Sequence, residues 1–124
     1  MSNLYFTEDH EWLRVEGDKA YVGITDFAQE QLGDIVYVEL PEEDDEVAAG
    51  DSVGVVESVK SASDVLAPAS GRVVEVNEDL EDSPELINED AMGNWIVALE
   101  LSDKEELSAL MDEEDYKAFL GEEA

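Results

Sequence analysis

Short, valine-rich runs in which apolar and polar residues alternate most constrain the fold of this chain. Such alternation places the apolar side chains on one face of a β-strand. In residues 11–24, two alternating runs flank a Gly17-Asp18 turn, and this arrangement predicts a β-hairpin. Further strands are predicted at residues 34–40, 52–59, 64–68, 71–76 and 95–101.

The alternation also predicts which side chains face the core. In the strand before Pro41, Val36, Val38 and Leu40 are expected to point inward. In the last strand, the expected apolar face consists of Trp95, Val97, Leu99 and Leu101.

Helical signals occur in three places. A two-turn helix is predicted after Thr25 or Asp26, either of which can cap it, and Gly33 would end it. In the acidic segment between residues 77 and 94, Ser83-Pro84 favours a single helical turn.

Towards the C-terminus the apolar period changes to that of a helix. Ser102 and Glu105 have the spacing of a capping box, and Gly121 is the expected stop. The 124 residues therefore predict a single mainly β or α+β domain, residues 1–124, with a β core at about 10–101 and helices at about 102–121.

Composition excludes several kinds of site. The chain has no cysteine and one histidine, His10, so a thiolate or multi-histidine metal site is excluded. No nucleophile elbow, phosphate loop or zinc-protease motif is present, which favours a protein that is not an enzyme by itself. Since no targeting or membrane-spanning segment is recognised, the expected location is the cytoplasm.

The formal net charge of −29 comes from 35 acidic and six basic residues spread along the whole chain. Such a surface repels nucleic acids and anionic membranes. The pattern is typical of proteins adapted to high salt, where screening weakens like-charge repulsion. A calcium site or a docking face for a basic partner is the less favoured explanation, because the acidic runs do not match a calcium-binding loop.

Lys60 is conspicuous in so acidic a chain. Val55, Val56 and Val59 precede it, small polar residues follow, and a second strand then ends at Pro68. This pattern predicts a hairpin that holds Lys60 at or beside an exposed tip. A lysine at an arbitrary turn is ordinarily just solvated, so the neighbouring residues must decide its role.

The segment from Gly54 to Gly71 resembles the lipoate-attachment hairpin of the glycine cleavage system H proteins. It carries Glu57-Ser58-Val59-Lys60, then Ser63-Asp64, and a proline-containing stretch that ends in Ser-Gly. The resemblance continues along the chain, in order, through "HEW" from His10, "VGITDFAQEQLGDIVYVELPE" from Val22, "PELIN" from Pro84 and "GNW" from Gly93.

The resemblance implies a flattened barrel or sandwich of two antiparallel sheets, as in lipoyl domains. It also implies lipoic acid joined to Lys60 as an amide, which removes the lysine charge. The carrier would take an aminomethyl group from the glycine-decarboxylating P protein to the tetrahydrofolate-dependent T protein, and the L protein would reoxidise the dithiol. A lipoate-attaching enzyme is a further implied partner, and the carrier is expected to be a monomer.

The resemblance also implies roles for residues around Lys60. Glu57, Ser58, Val59 and Asp64 belong to the attachment hairpin. Glu11, of "HEW", and Asp64 map onto acidic contacts of the family's arm-docking cleft. Alternatively, Glu11 is an exposed strand acid, and Asp64 is a turn acid that bonds its own backbone.

Alternative carriers differ from this pattern in identifiable ways. A biotinyl domain has methionine on both sides of its lysine, whereas this chain has Val59 and Ser61. The lipoyl domain of a 2-oxoacid dehydrogenase lacks "HEW", "ITDFAQ" and the C-terminal helices. A lipoate relay would have the same attachment motif. The chain itself departs from the H-protein family at Gln31, where relatives often have histidine.

Overall fold

The computed structural model describes residues 3–123, so residues 1, 2 and 124 of the expected 1–124 domain lie outside the description. Within residues 3–123 the strands are β1 Leu4–Phe6, β2 Glu11–Glu16, β3 Lys19–Ile24, β4 Ile35–Glu39, β5 Glu46–Val47, β6 Ser52–Ser58, β7 Ala62–Leu66, β8 Gly71–Val76 and β9 Val97–Leu101. The helices are α1 Asp26–Leu32, α2 Asp79–Asp82, α3 Leu86–Glu89, a 3₁₀ helix at Lys104–Ala109, and α4 Glu113–Glu123.

The strands form two sheets, and neighbouring strands in both sheets are antiparallel. One sheet has the order β1-β2-β3-β9-β8-β5, and the other has the order β4-β6-β7. Neither sheet closes on itself. The predicted mainly β fold of two antiparallel sheets with short helices is confirmed.

The larger core contains side chains from both sheets. Leu13, Val22 and Leu99 of the six-stranded sheet belong to the same buried cluster as Val38 and Val56 of the three-stranded sheet. A smaller cluster of Phe6, Trp12 and Tyr116 packs α4 against the first two strands. Burial of these apolar surfaces supplies the main driving force for the fold.

The predicted hairpin at residues 11–24 is confirmed as β2 and β3, with Leu13 opposite Val22. Its turn contains Gly17, whose φ of 68° lies in the region that glycine adopts without strain. Strand β1, which has only three residues, was not predicted. So short a strand shows no measurable alternation, and it exists because it pairs with β2.

The predicted inward face of β4 is wrong at Val36. Ile35 and Val38 are buried, whereas Val36 is 54% exposed. A β-bulge between Ile35 and Tyr37 adds one residue to β4 relative to β6, so the inward positions change along the strand. An extra residue of this kind breaks the simple alternation on which the prediction rested.

The predicted last strand is partly wrong. It begins at Val97, and Trp95 precedes it and packs edge-to-face on Tyr21 at 5.2 Å. Within β9, Val97, Ala98 and Leu99 are all buried. Successive side chains of a strand point to opposite faces of the sheet, so the burial of all three shows that β9, which lies between β3 and β8, is covered on both faces.

The helix predicted after Thr25 is confirmed as α1. The Thr25 side chain, not Asp26, caps it by accepting a hydrogen bond from Ala28 N, and Gly33 ends it with a φ of 81°. The acidic segment between residues 77 and 94 contains two helical turns, α2 and α3, instead of the one predicted.

The predicted capping box at Ser102 and Glu105 is wrong. Asp103 caps the 3₁₀ helix, and its side chain accepts a hydrogen bond from Glu105 N at 3.0 Å. The predicted stop at Gly121 is also wrong, because α4 continues to Glu123. Glycine weakens a helix but does not by itself terminate it.

None of the helices in the described part of the chain has the length and apolar character required to cross a lipid bilayer.

Candidate functional site

The β6–β7 hairpin places Lys60 in its connecting turn. Glu57 pairs with Ala62, and the chain reverses through residues 59–61. The Ser58 hydroxyl accepts hydrogen bonds from Lys60 N and Ser61 N, each at 3.1 Å, and it donates one to Ser61 O at 3.1 Å. One serine side chain therefore holds the turn that presents Lys60, as short polar side chains commonly do.

The Lys60 side chain is exposed and lies beside the end of α1. The side chain passes so close to Gly33 that a Cβ atom at that position would lie 3.4 Å from Lys60 Cε. Among residues 3–123, Lys60 and Lys117 form no ion pair, whereas Arg14, Lys19, Arg72 and Lys104 each pair with an acid. The Lys60 amine is therefore accessible and is not held by a neighbouring carboxylate.

The other predicted hairpin residues occupy different environments. Glu57 is exposed on β6, and Val59 is 65% exposed beside Lys60. The Val59 N–H donates to Asp34 O at 3.0 Å, which ties the hairpin tip to the segment before β4. The structure gives Glu57 no contact with the pocket described next.

A pocket of about 170 Å³ lies between the three-stranded sheet, α1 and the start of β2. It brings together Glu11 and Asp64, the two acids predicted to act together. Its other lining residues are Asp9, His10, Ile24, Ala28, Gln31, Leu32, Val56, Ser63 and Val65. The pocket is thus an apolar groove with carboxylates at its wall.

Glu11 is buried, with 3% of its surface exposed, so the alternative of an exposed strand acid is wrong. One carboxylate oxygen accepts from Thr7 Oγ1 at 2.7 Å, and the other accepts from Leu66 N at 3.4 Å. Burial raises the pKa of Glu11 to about 7, although these two hydrogen bonds oppose the rise. A cation in the pocket would favour the charged carboxylate.

Asp64 lies in β7 and not in a turn, so the alternative of a turn acid bonded to its own backbone is also wrong. It is exposed and pairs with Val55 in the β6–β7 ladder. Its carboxylate accepts a long hydrogen bond from Ser52 Oγ at 3.4 Å. Asp64 therefore lines the pocket from its solvent side, whereas Glu11 lines it from within the fold.

The contacts that hold the pocket walls were not predicted. The Tyr116 hydroxyl lies 2.8 Å from His10 Nδ1 and 2.8 Å from Thr25 Oγ1. His10 lines the pocket and has a φ of 68°, and Thr25 begins α1. Since Tyr116 comes from α4, no local pattern in the sequence could reveal this connection.

Asn88 was not predicted as a site residue either, although it is the last residue of the "PELIN" segment. Its amide oxygen accepts from Ile35 N at 2.8 Å, and its amide nitrogen donates to Gln29 Oε1 and Gly33 O at 2.9 Å each. Asn88 thereby fixes the end of α1 beside Lys60. An asparagine within a family motif was the only available signal.

Comparisons with known proteins identify the family. The model of the family "Glycine cleavage H-protein" matches residues 4–123. The chain is 56% identical over 124 residues to a glycine cleavage system H protein of Alkaliphilus oremlandii, covering 100% of this chain and 98% of the relative. It is 57% identical over 123 residues to one of Thermoanaerobacter sp. (strain X514), covering 99% and 98%.

The fold agrees with a solved member. A crystal structure of a glycine cleavage system H protein from Mycobacterium marinum superposes with a TM-score of 0.88 at 39% identity, covering 98% of each chain. The family match and these relatives span nearly the whole sequence. The chain therefore belongs to the glycine cleavage H-protein family, whose members are carrier subunits and not catalysts.

Proposed function

We propose that this protein carries lipoate as an amide on Lys60 Nζ and acts as the lipoyl carrier of the glycine cleavage system. The observation that supports the proposal best is the unpaired, exposed amine of Lys60 at a hydrogen-bonded hairpin tip. Amide formation with lipoate would remove the charge of this unpaired lysine.

The arrangement around Lys60 fits the group. Attached lipoate supplies a disulfide that exchanges an aminomethyl group and electrons with the P, T and L proteins. Ser58 orients the hairpin turn, and the end of α1 beside Lys60 leads towards the apolar pocket. Since the chain has no cysteine, no protein thiol competes for the disulfide.

We propose that the pocket shelters the loaded lipoyl arm from water. An aminomethyl cargo ends in an amine that is cationic at neutral pH, so an apolar groove with Glu11 and Asp64 matches its chemistry. Asp9, which also lines the pocket, adds negative potential there. Gln31 lines the same pocket, and its neutral amide adds no positive charge to repel the cargo.

The attachment site is tested with Lys60→Arg. Arginine keeps the charge and length but cannot form the amide, so we expect a folded protein with no lipoyl mass increment and no activity in a reconstituted glycine cleavage system. The matched control is Lys117→Arg, because Lys117 is also exposed and forms no ion pair within the described residues. A lipoyl group on the Lys60→Arg protein would refute the assignment.

The same mass measurement separates the alternatives. A biotin increment on Lys60 would identify a biotinyl carrier. Lipoylated protein that receives no aminomethyl group from the P protein would favour a lipoate relay or another lipoyl domain. Peptide mapping of protein from its own host assigns the increment to a residue.

The pocket is tested with Glu11→Gln, Asp64→Asn and the double variant. We expect lipoylation to remain, and release of formaldehyde and ammonia from the isolated, loaded carrier to become several-fold faster, because the cationic amine loses its carboxylate partners. Glu46→Gln is the control, since Glu46 is exposed on β5 and outside the pocket. Equal release rates for wild type and the double variant would remove both acids from the mechanism.

Five wider features belong to the same proposal. The whole chain would serve as one lipoyl-carrier domain, act as a monomer and reside in the cytoplasm. A lipoate-attaching enzyme would modify it. Its acidic surface would be an adaptation to high salt, supported by 35 acidic against six basic residues.

A further inference from the structure

Three large apolar side chains are strongly exposed in the described part of the chain, and all lie near the hairpin tip. Val36 is 54% exposed, Tyr37 is 47% exposed and Val59 is 65% exposed. Scattered exposed apolar residues are common, but a local group on a surface otherwise rich in carboxylates is not. We call these three side chains the tip patch.

The backbone explains how the patch forms. The bulge between Ile35 and Tyr37 leaves two successive residues, Val36 and Tyr37, on the exposed side of an edge strand. The hydrogen bond from Val59 N to Asp34 O, 3.0 Å long, holds the tip against the start of β4. Val59 directly precedes Lys60 in the chain, and the hydrogen bond to Asp34 fixes the patch relative to that lysine.

The surroundings of the patch are acidic. Asp34, Glu39 and Glu57 are exposed next to it, with Glu57 directly opposite Tyr37 in the β4–β6 ladder. Amide formation on Lys60 removes the basic charge beside Val59. A complementary partner surface would consequently be apolar at its centre and carry lysine or arginine at its rim.

We propose that the tip patch is the docking surface for the lipoate-attaching enzyme, an inference that rests on the proposed lipoylation of Lys60. Attachment forms a bond between Lys60 Nζ and the carboxyl carbon of an activated lipoyl anhydride. The bond from that carbon to the phosphate oxygen breaks and the phosphate monoester leaves, while Nζ loses two of its three ammonium protons and keeps one as the amide N–H. This reaction brings the enzyme surface within a few ångströms of Val59. The P, T and L proteins instead meet the far end of a long arm.

Threonine replaces apolar surface with a hydroxyl and is itself favoured in strands, so threonine substitutions test the patch without disfavouring the strand. We compare wild type with Val36→Thr/Tyr37→Thr/Val59→Thr as full-length, unmodified chains, using a purified lipoate–protein ligase, lipoate and ATP. We expect KM for the triple variant to rise about tenfold or more and kcat to change less than about twofold, because the lost contacts act in association. Val74→Thr, a half-exposed valine of β8 in the other sheet, is the control.

The outcomes separate this proposal from the one it rests on. A wild-type chain that the ligase does not modify on Lys60 would refute the proposed function itself. Modified wild type with an unchanged KM for the triple variant would overturn only the patch. An unchanged ligase KM together with weaker transfer from the P protein would also overturn it, since the patch would then serve another partner. Thermal melting checks folding, and if the triple variant melts early, Val59→Thr alone repeats the test in the turn.

Discussion

At the scale of single residues, Glu11 has an environment opposite to that of most acids in this protein. Its carboxyl group is buried beside apolar side chains, and its two donors, Thr7 and Leu66, do not fully replace water. The resulting pKa of about 7 means that the group holds a proton in the folded state over a range in which an unfolded glutamate is ionised. A free-energy cost of ionisation, such as this raised pKa reflects, is typical of a functional position at a pocket wall.

The raised pKa of Glu11 predicts that the stability difference between wild type and Glu11→Gln depends on pH. Because the pKa of Glu11 is raised on folding from 4.5 to about 7, its favourable contribution is present below pH 4.5 and is lost as the pH rises through about 7. Glutamine has no such change, so the variant should gain up to about 3 kcal/mol relative to wild type between pH 4.5 and pH 8.

Urea unfolding of both proteins across this pH range measures the difference. The other acids titrate equally in the two proteins and cancel. A stability difference that does not change with pH would show that Glu11 titrates normally. A difference that changes in the opposite direction would show that its hydrogen bonds outweigh its burial.

At the scale of elements, α1 connects the pocket to Lys60. Its first turn begins at Thr25, which contacts the Tyr116 hydroxyl, and its end at Gly33 is held by Asn88. Side chains of its middle and last turn line the pocket. The helix buries none of its own residues fully, so contacts at its two ends fix its position.

Tyr116→Phe tests the contact at the start of α1. The ring stacks on Phe6 at 4.5 Å, and phenylalanine keeps this packing while removing the hydroxyl near His10 and Thr25. We expect a loss of about 1–3 kcal/mol in unfolding free energy, because the buried Thr25 hydroxyl loses a hydrogen-bond partner. We also expect faster cargo release from the loaded carrier, since His10 lines the pocket.

Tyr5→Phe is the matched control, as Tyr5 is a half-buried tyrosine of β1 that packs against the larger core. Denaturant unfolding gives the stability change, and the formaldehyde assay gives the release rate. Equal effects from both substitutions would contradict a specific role for the Tyr116 hydroxyl.

At the scale of the whole molecule, negative charge dominates. The ion pairs among the described residues are exposed, for example Lys104 with Asp18 and Arg72 with Asp44, so they contribute little to stability. The six basic residues offset only six of the 35 acidic charges, which leaves the net charge of −29. The folded state therefore carries uncompensated repulsion, which the unfolded chain relieves by expanding.

Added salt should consequently stabilise the protein. At 1 M ionic strength the Debye length falls to about 3 Å, which screens most pairs of surface carboxylates. We expect the thermal midpoint to rise steadily as KCl is increased. Tetramethylammonium chloride, compared at equal ionic strength, distinguishes general screening from specific binding of potassium. A midpoint that stays constant or falls would contradict the proposed salt adaptation.

The sequence by itself determined most of the strands, the first hairpin, the capped helix α1 and the position of Lys60 in a turn. These features depend on neighbours within a few residues: alternation along a strand, Gly17 in a turn, Thr25 at a helix start. The family resemblance also pointed to Glu11 and Asp64, which the fold places on one pocket.

Only the tertiary structure decided how those features act together. The bulge that exposes Val36 depends on the register between β4 and β6, and β1 exists only because β2 lies beside it. The burial that raises the pKa of Glu11 comes from segments distant in the chain, as does the contact of Tyr116 with Thr25 across 91 residues. Burial, register and side-chain contacts depend on which distant segments pack together. Local sequence patterns do not specify that packing for individual residues.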